Sequence, residues 1–314
     1  MISSTLAPAV PSSKLRIGVG FAPAVDTLSA IVQAAGAAQK GLEGASAHLA
    51  LVVTAGAAKG DVVAAVRAVL GPVGVAGGAT TGLFTERGFT TTGAIVIAVS
   101  DAEHAASGVS CAGGRDLVDA GKAAARLMLA GWPFRHRYPR GLGFAFARSG
   151  YGAPASHFLD AWRELMGPKM RTVCGIMPVP TLYGSFTGTP LASVGCLEAS
   201  YSTGLGYADG FTDPASAPTV ETLTHGSVDA AVTALKRLED DPLRLVVVVE
   251  SAARRQALGS AADAEWAAVR HEVGERAPCV GWLCEQVAAY GRGVRPVDVP
   301  GSLVVVAIGD SPRV

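Results

Sequence analysis

Aromatic residues are scarce, charge is sparse, and no apolar run is long. Of 314 residues 6% are aromatic and 17% charged, and 26 basic side chains balance 26 acidic ones. A chain of zero net charge has no bulk attraction for nucleic acid or an anionic bilayer. The longest apolar runs, such as 245–249, are strand-sized, which excludes a membrane-spanning helix. The first segment, MISSTLAPAVPSSK, lacks a basic start followed by an apolar block. It therefore reads as a flexible lead over residues 1–13, not as a signal peptide. The five cysteines (Cys111, Cys174, Cys196, Cys279, Cys284) are dispersed and odd in number, without CxxC spacing, which fits a reducing cytoplasm. The six histidines (His48, His104, His136, His157, His225, His271) form no HExxH or paired spacing, so no metal or cofactor is expected. A haem needs only one axial histidine and stays as a minor alternative. The basic run FRHRYPR (134–140) is too short and isolated for nucleic-acid binding.

What the chain has instead is apolar bulk and repetition. Residues of apolar type make up 49% of the chain, with Ala, Val and 39 glycines replacing aromatics in the interior. Residues 73–101 read as a β-rich run, a GGATTG bend (77–82), a polar turn and a second run, GAIVIAVSD. A similar pattern returns at 280–310 and, more loosely, at 173–200, so the chain reads as one supersecondary unit used three times. The first unit has strands at 15–22 and 48–54 and helices at 25–42 and 61–70, each helix with an aspartate (Asp26, Asp61) placed to cap it. The second has a strand at 107–113, a helix at 117–129, a strand at 142–147 and a helix at 157–166. The third has a strand at 203–208, a polar insertion at 209–226, a helix at 228–238, a strand at 245–250 and a helix at 262–273. The first strands begin about ninety residues apart, near Ile17, Gly108 and Gly204, a period that suits small domains rather than solenoid turns. The unit boundaries are 14–102, 106–200 and 201–314.

A βαβαββ unit of this kind resembles the bacterial chorismate-mutase type of fold. That resemblance implies an α/β pseudo-trimer, three fused repeats with sheets inward and helices outward, because a sheet covered by helices on one face must bury the other. Ligands are then expected in clefts between units.

The order of motifs also resembles the FIST sensory-domain family of bacteria, over almost the whole chain. The N-terminal FIST pattern is matched by IGVGFA (17–22), LALVVTAG (49–56), GGATTG (77–82) and GAIVIAVSD (93–101). The C-terminal pattern is matched by VVVVESAARRQALG (246–259) with Arg254 and Gly259, by Glu265, and by GWLCEQ (281–286) with Glu285, where Cys284 stands at a usual glycine. The resemblance implies a cytoplasmic sensory and signal-transduction protein that binds a small polar metabolite, amino acids being one class. It implies a separate signalling partner, because this chain carries no kinase, cyclase or receiver segment. A few FIST-like proteins are haem-containing gas sensors.

Nine residues are candidates for ligand binding. Gly77 and Gly78 allow positive φ and close backbone approach, and Thr80 and Thr81 offer hydroxyls; the alternative is a bulge or tight bend in a sheet. Arg254 could clamp a carboxylate, or form a structural ion pair with Glu250 or Glu265. Lys59 and Arg148 follow the second strands of the other units, so each unit places a cation after that strand, although exposed loops favour charge in any case. Glu285 could bind an amine or act as a base. Ser251 enters through a second class of function, a cyclic-amide hydrolase, because fused threefold repeats also occur in hydrolases of cyanuric acid and barbiturate, which use Ser/Lys pairs. Ser251 and Lys59 are present, but no Ser/Lys pair recurs in equivalent places, which weighs against a nucleophile with an adjacent base.

Overall fold

A computed structural model describes residues 15–100, 105–131, 140–199, 201–211, 218–238, 241–291 and 299–310. The lead at 1–13 and most of the basic run at 134–140 lie outside the described residues. Unit 1 comprises β1 (Arg16–Ala22), α1 (Thr27–Gly41), β2 (Leu49–Ala55), α2 (Val62–Leu70), β3 (Gly74–Thr80), β4 (Leu83–Thr85), β5 (Gly88–Thr90) and β6 (Ala94–Ser100). Unit 2 comprises β7 (Ala105–Ala112), α3 (Leu117–Gly131), β8 (Arg140–Arg148), α4 (Ala155–Met166), β9 (Met170–Met177), β10 (Leu182–Tyr183) and β11 (Ala192–Ala199). Unit 3 comprises β12 (Thr203–Ala208), α5 (Val220–Lys236), β13 (Leu243–Ser251), α6 (Ala252–Leu258), α7 (Ala262–Val273), β14 (Cys279–Cys284), β15 (Gln286–Tyr290) and β16 (Leu303–Gly309). The result is a mixed α/β structure with three mixed sheets. No helix among the described residues is long and apolar enough to cross a membrane.

The three sheets share one internal order. Each runs first strand, last strand, second strand, third strand: β1-β6-β2-β3, β7-β11-β8-β9 and β12-β16-β13-β14. In each, the second and third strands are parallel and the last strand is antiparallel to both neighbours. Each sheet is then extended at its third strand by a strand from another unit. β10 of unit 2 joins β3, β15 of unit 3 joins β9, and the β4–β5 hairpin of unit 1 joins β14. The two β-rich runs flanking the GGATTG bend do not pair with each other, because β2 lies between β3 and β6. The polar turn between them forms a hairpin of its own and is given to unit 3.

Strand alternation sets the layers. In β2, Leu49, Leu51 and Val53 face a core shared by all three units, while Ala50 and Val52 face the helices of unit 1. β8 divides in the same way, with Leu142, Phe144 and Phe146 facing the shared core and Ala145 and Ala147 the helices. In β13, Leu245, Val247 and Val249 point to the shared core, and Val246 and Val248 to the helices. Trp282 of unit 3 is buried in that core, its ring 5.6 Å from Phe146 of unit 2.

The helices sit very close to the sheets, which is why glycine and alanine replace larger residues. Gly18 and Gly20 of β1 lie against the carbonyls of Ala38 and Ala34 on α1, and Gly204 and Gly206 of β12 lie against those of Ala234 and Ala230 on α5. A Cβ at any of the four would fall inside the contact distance of a carbonyl oxygen. The caps behave as their sequence suggests: the side chain of Asp26 accepts from Ser29 N at 3.0 Å and that of Asp61 from Ala64 N at 2.9 Å. Two helices differ from expectation. α5 begins at Val220, not 228, because Thr219 caps it (Thr222 N to Thr219 Oγ1, 3.2 Å) and Leu223 and Ser227 are buried. The segment after β13 is the helix α6, capped by Ser251, not a loop.

Close packing gives a sign-reversed pair of expectations. Gly206→Ala inserts a methyl against the Ala230 carbonyl and is expected to cost about 1–3 kcal/mol by overpacking. Gly36→Ala, in α1 with open space around its Cα, is expected to gain about 0.5–1 kcal/mol from helix propensity. Urea unfolding of both variants checks this, and equal costs would contradict the packing described.

Candidate functional site

The predicted bend is a joint between units. The register pairs Ala55 with Thr80, Arg148 with Met177, and Ser251 with Cys284, so Thr80, Met177 and Cys284 are equivalent ends of the three third strands. All three are fully buried. Cys284 Sγ lies 3.9 Å from Met177 Sδ, and Thr80 Oγ1 donates to Leu283 O at 2.5 Å. Backbone bonds close a ring through the three bends: Ala79 N to Thr181 O (2.8 Å), Glu285 N to Ile176 O (2.7 Å) and Leu283 N to Gly82 O (3.0 Å). Gly77 and Gly78 lie inside β3 without positive φ. Gly77 packs on the Val52 backbone and donates to Ser193 Oγ at 3.2 Å, and Gly78 is covered by Leu182 of β10. Thr81 alone of this group is exposed. The two glycines therefore serve close approach, and the left-handed freedom expected of them is not used.

The three cations are not equivalent. Arg148 is the last residue of β8, half-buried; Lys59 is exposed four residues beyond the end of β2; Arg254 is fully buried on α6. Arg254 Nε donates to Glu265 Oε1 at 2.9 Å, Nη1 to Gly301 O at 2.9 Å, and Nη2 to Ser227 Oγ at 2.8 Å and to Leu223 O. Ser227 in turn donates to Glu265 Oε1 at 2.6 Å. Of the two sequence readings of Arg254, the geometry is that of the structural ion pair, with Glu265 as partner. Glu250 is buried next to this network, and its Oε1 has no hydrogen-bond partner. Burial, with a smaller push from Glu265, holds its carboxyl well above the usual glutamate range.

Ser251 and Glu285 do come together, through the main chain. Ser251 Oγ lies 3.3 Å from Glu285 O and accepts from Ala253 N and Gly301 N at 3.3 Å each. No basic side chain is among its hydrogen-bond partners in the described residues. The side chain of Glu285 is exposed. His48, His157, His225 and His271 are exposed as well, whereas His104 and His136 lie outside the described residues. Among the described residues no group of three His, Cys, Asp or Glu side chains is placed to hold a metal.

Open space lies elsewhere, along the seam between units 1 and 3. A cavity of 240 Å³ is lined by Arg16, Ile17, Glu43, Arg244 and Arg276, among others. A wider groove of 740 Å³ continues past Arg270, His271 and Glu86, and a third cavity of 210 Å³ lies between Phe21 of β1 and Val280 of β14. Pro278 touches all three. The corresponding positions at the other seams are Gly74 and Arg171, and there the units meet tightly: Gly74 packs on Val109, and Arg171 Nη1 reaches Thr203 O and Oγ1. None of the nine sequence candidates lines these cavities. The arginines of the 240 Å³ cavity, Arg16, Arg244 and Arg276, are far apart in sequence, and each sits near an element end, where a charged residue draws no attention.

The seam is also clasped. Asp310 Oδ1 accepts from Leu15 N at 2.9 Å, and Oδ2 accepts from Arg244 Nε at 2.8 Å and from Nη2. Arg255 of α6 stacks 3.5 Å over the Phe89 ring of the β4–β5 hairpin, and Trp266 Nε1 of α7 donates to Thr85 O at 3.0 Å.

No family model and no curated protein matches this chain. Among solved structures it is similar to a cyanuric acid hydrolase from A. caulinodans, at 11% identity and a TM-score of 0.44, covering 96% of this chain and 100% of that one. A second cyanuric acid hydrolase structure aligns at 15% identity and a TM-score of 0.31, over 67% of this chain and 69% of that one. PurLQS from Thermotoga maritima aligns at 8% identity and a TM-score of 0.29, over 95% and 72%. Likenesses at this level assign neither an activity nor a ligand.

The buried network yields two expectations. Arg254→Met leaves Glu265 buried without its cation and is expected to cost about 3–5 kcal/mol in urea unfolding. Glu250 acts in the opposite sense to an ordinary ion-paired acid. Its folded pKa is raised, so as pH climbs above the normal glutamate range the unfolded chain ionises first and stability falls. Glu250→Gln is expected to remove that decline. Unfolding midpoints of the two proteins between pH 4 and 8 read it out directly, and parallel profiles would show that Glu250 ionises normally.

Proposed function

We propose that this chain is a small-molecule-binding sensory protein of the FIST type. Its three units form a chorismate-mutase-like pseudo-trimer in one chain, and a small polar metabolite binds in the cleft between units 1 and 3. A separate protein partner reads the bound state. The motif order over almost the whole chain supports the family reading, and the cyclic exchange of strands supports the pseudo-threefold one. The observation that carries the location is the run of three cavities along a single seam, while the symmetric bends are packed shut. Inter-unit clefts with a few convergent polar groups are where small ligands are expected. Of the sequence candidates, Thr81, Lys59 and Glu285 remain exposed and free to meet a partner or ligand, whereas Arg254 and Ser251 act as supports.

The direct check is a thermal-shift and native mass spectrometry screen of polar metabolites, amino acids included, with product analysis on the same samples. Saturable binding without turnover is expected. Product release from a cyclic imide would move the protein to the hydrolase class, and silence across the panel would remove the sensory reading.

A further inference from the structure

The 240 Å³ cavity gathers guanidinium groups from both sides of the seam. Arg16 opens β1 in unit 1, Arg244 lies at the start of β13, and Arg276 ends the short turn after α7 in unit 3. Each is already anchored by its own chain. Arg16 Nη1 donates to Leu42 O at 3.2 Å and Glu43 O at 2.9 Å. Arg244 uses Nε and Nη2 on Asp310, and Arg276 uses Nε and Nη2 on Val273 O (2.8 Å) and Glu272 O (2.5 Å). Arg16 Nε and Nη2, Arg244 Nη1 and Arg276 Nη1 have no acceptor among the described residues. Three cations line the cavity and one acid, Glu43, whose carboxylate reaches Arg16 only at 4.0 Å and is 77% exposed. The Arg16 and Arg244 side chains are themselves more than a third open to solvent, so a ligand can reach them.

Resting on the sensory reading above, we propose that this cavity is an oxyanion site, taking a small metabolite that carries a carboxylate or a phosphate. Guanidinium forks suit either group, and forks already fixed by carbonyl and carboxylate partners lose little freedom on binding. The donors come from units 1 and 3, so a bound anion adds hydrogen bonds across the seam that no peptide bond spans. By binding the folded arrangement it adds to the stability of that seam. The Leu15 amide, which donates to Asp310 beside the cavity, reports that added protection.

The test is calorimetric titration with inorganic phosphate and, separately, with succinate, each at constant ionic strength against a chloride control. Wild type is compared with Arg16→Gln and Arg276→Gln, which leave the Asp310 clasp intact. Thermal melts confirm that both variants are folded, and a variant that is not is replaced by its lysine version. One-to-one binding of at least one anion is expected, weakened about tenfold or more by each substitution, with hydrogen exchange at the Leu15 amide slowed when the anion is bound. Preference for phosphate or for succinate identifies which acid group the site reads. The assignment is overturned if neither anion binds, or if binding is unchanged in both variants. A neutral metabolite that binds equally well to all three proteins overturns the oxyanion site but leaves the sensory reading standing. No binding of anything in either screen removes both.

Discussion

A β-sheet has two faces, and in this chain each sheet owns helices enough to cover only one. The second faces are rich in Leu, Val, Ile and Phe, and they bury one another in a core drawn from all three units. This constraint orders most of what else is seen. It places the helices outside, divides each central strand into a large-residue face and an Ala- or Val-bearing face, and requires three units where one would leave its apolar face in water.

Cyclic strand exchange adds a second layer of dependence. Every sheet ends on a strand taken from another unit, so no third strand is left as a bare edge that could pair with another chain. The exchange is threefold, but the chain is linear, and linearity breaks the symmetry. Two seams follow covalent connections and are tight. The third has no covalent link and is held by the β4–β14 strand pairing together with side chains: Asp310 on Leu15, Arg255 over Phe89, and Trp266 on Thr85. Pro278, which lines all three cavities there, stands where the other seams have a glycine or an anchored arginine.

Much of the fold was legible in the sequence, for local reasons. The apolar run at 48–54 marked a buried strand, and Asp26 and Asp61 their caps, whereas the close helix packing at the GVG and GLG segments (18–20, 204–206) was not anticipated. The start of α5 was hidden because THG-type residues have low helix propensity and only the burial of Leu223 and Ser227 overrides it. The pairing partner of 83–90 was not readable, since a three-residue strand carries no information on which distant edge it will join. For Arg254 the residue types suggested both a ligand clamp and an ion pair; only the burial of α6 against α5 and α7 decides between them. The seam arginines were missed because a cavity assembled from residues 16, 244 and 276 leaves no trace at any local spacing.

The clasp at Asp310 has a consequence for how the gene order of the units relates to the shape. The first and last described strands end side by side, with Leu15 bonded to Asp310 across a separation of 295 residues. The neighbours of each unit would therefore be the same whichever unit came first. Circular permutation, opening the chain between two units and joining the present ends, would preserve every sheet while moving the unlinked seam to a new pair of units. Whichever seam lacks a peptide link, strand pairing of the kind β4 makes with β14 still joins its two sides.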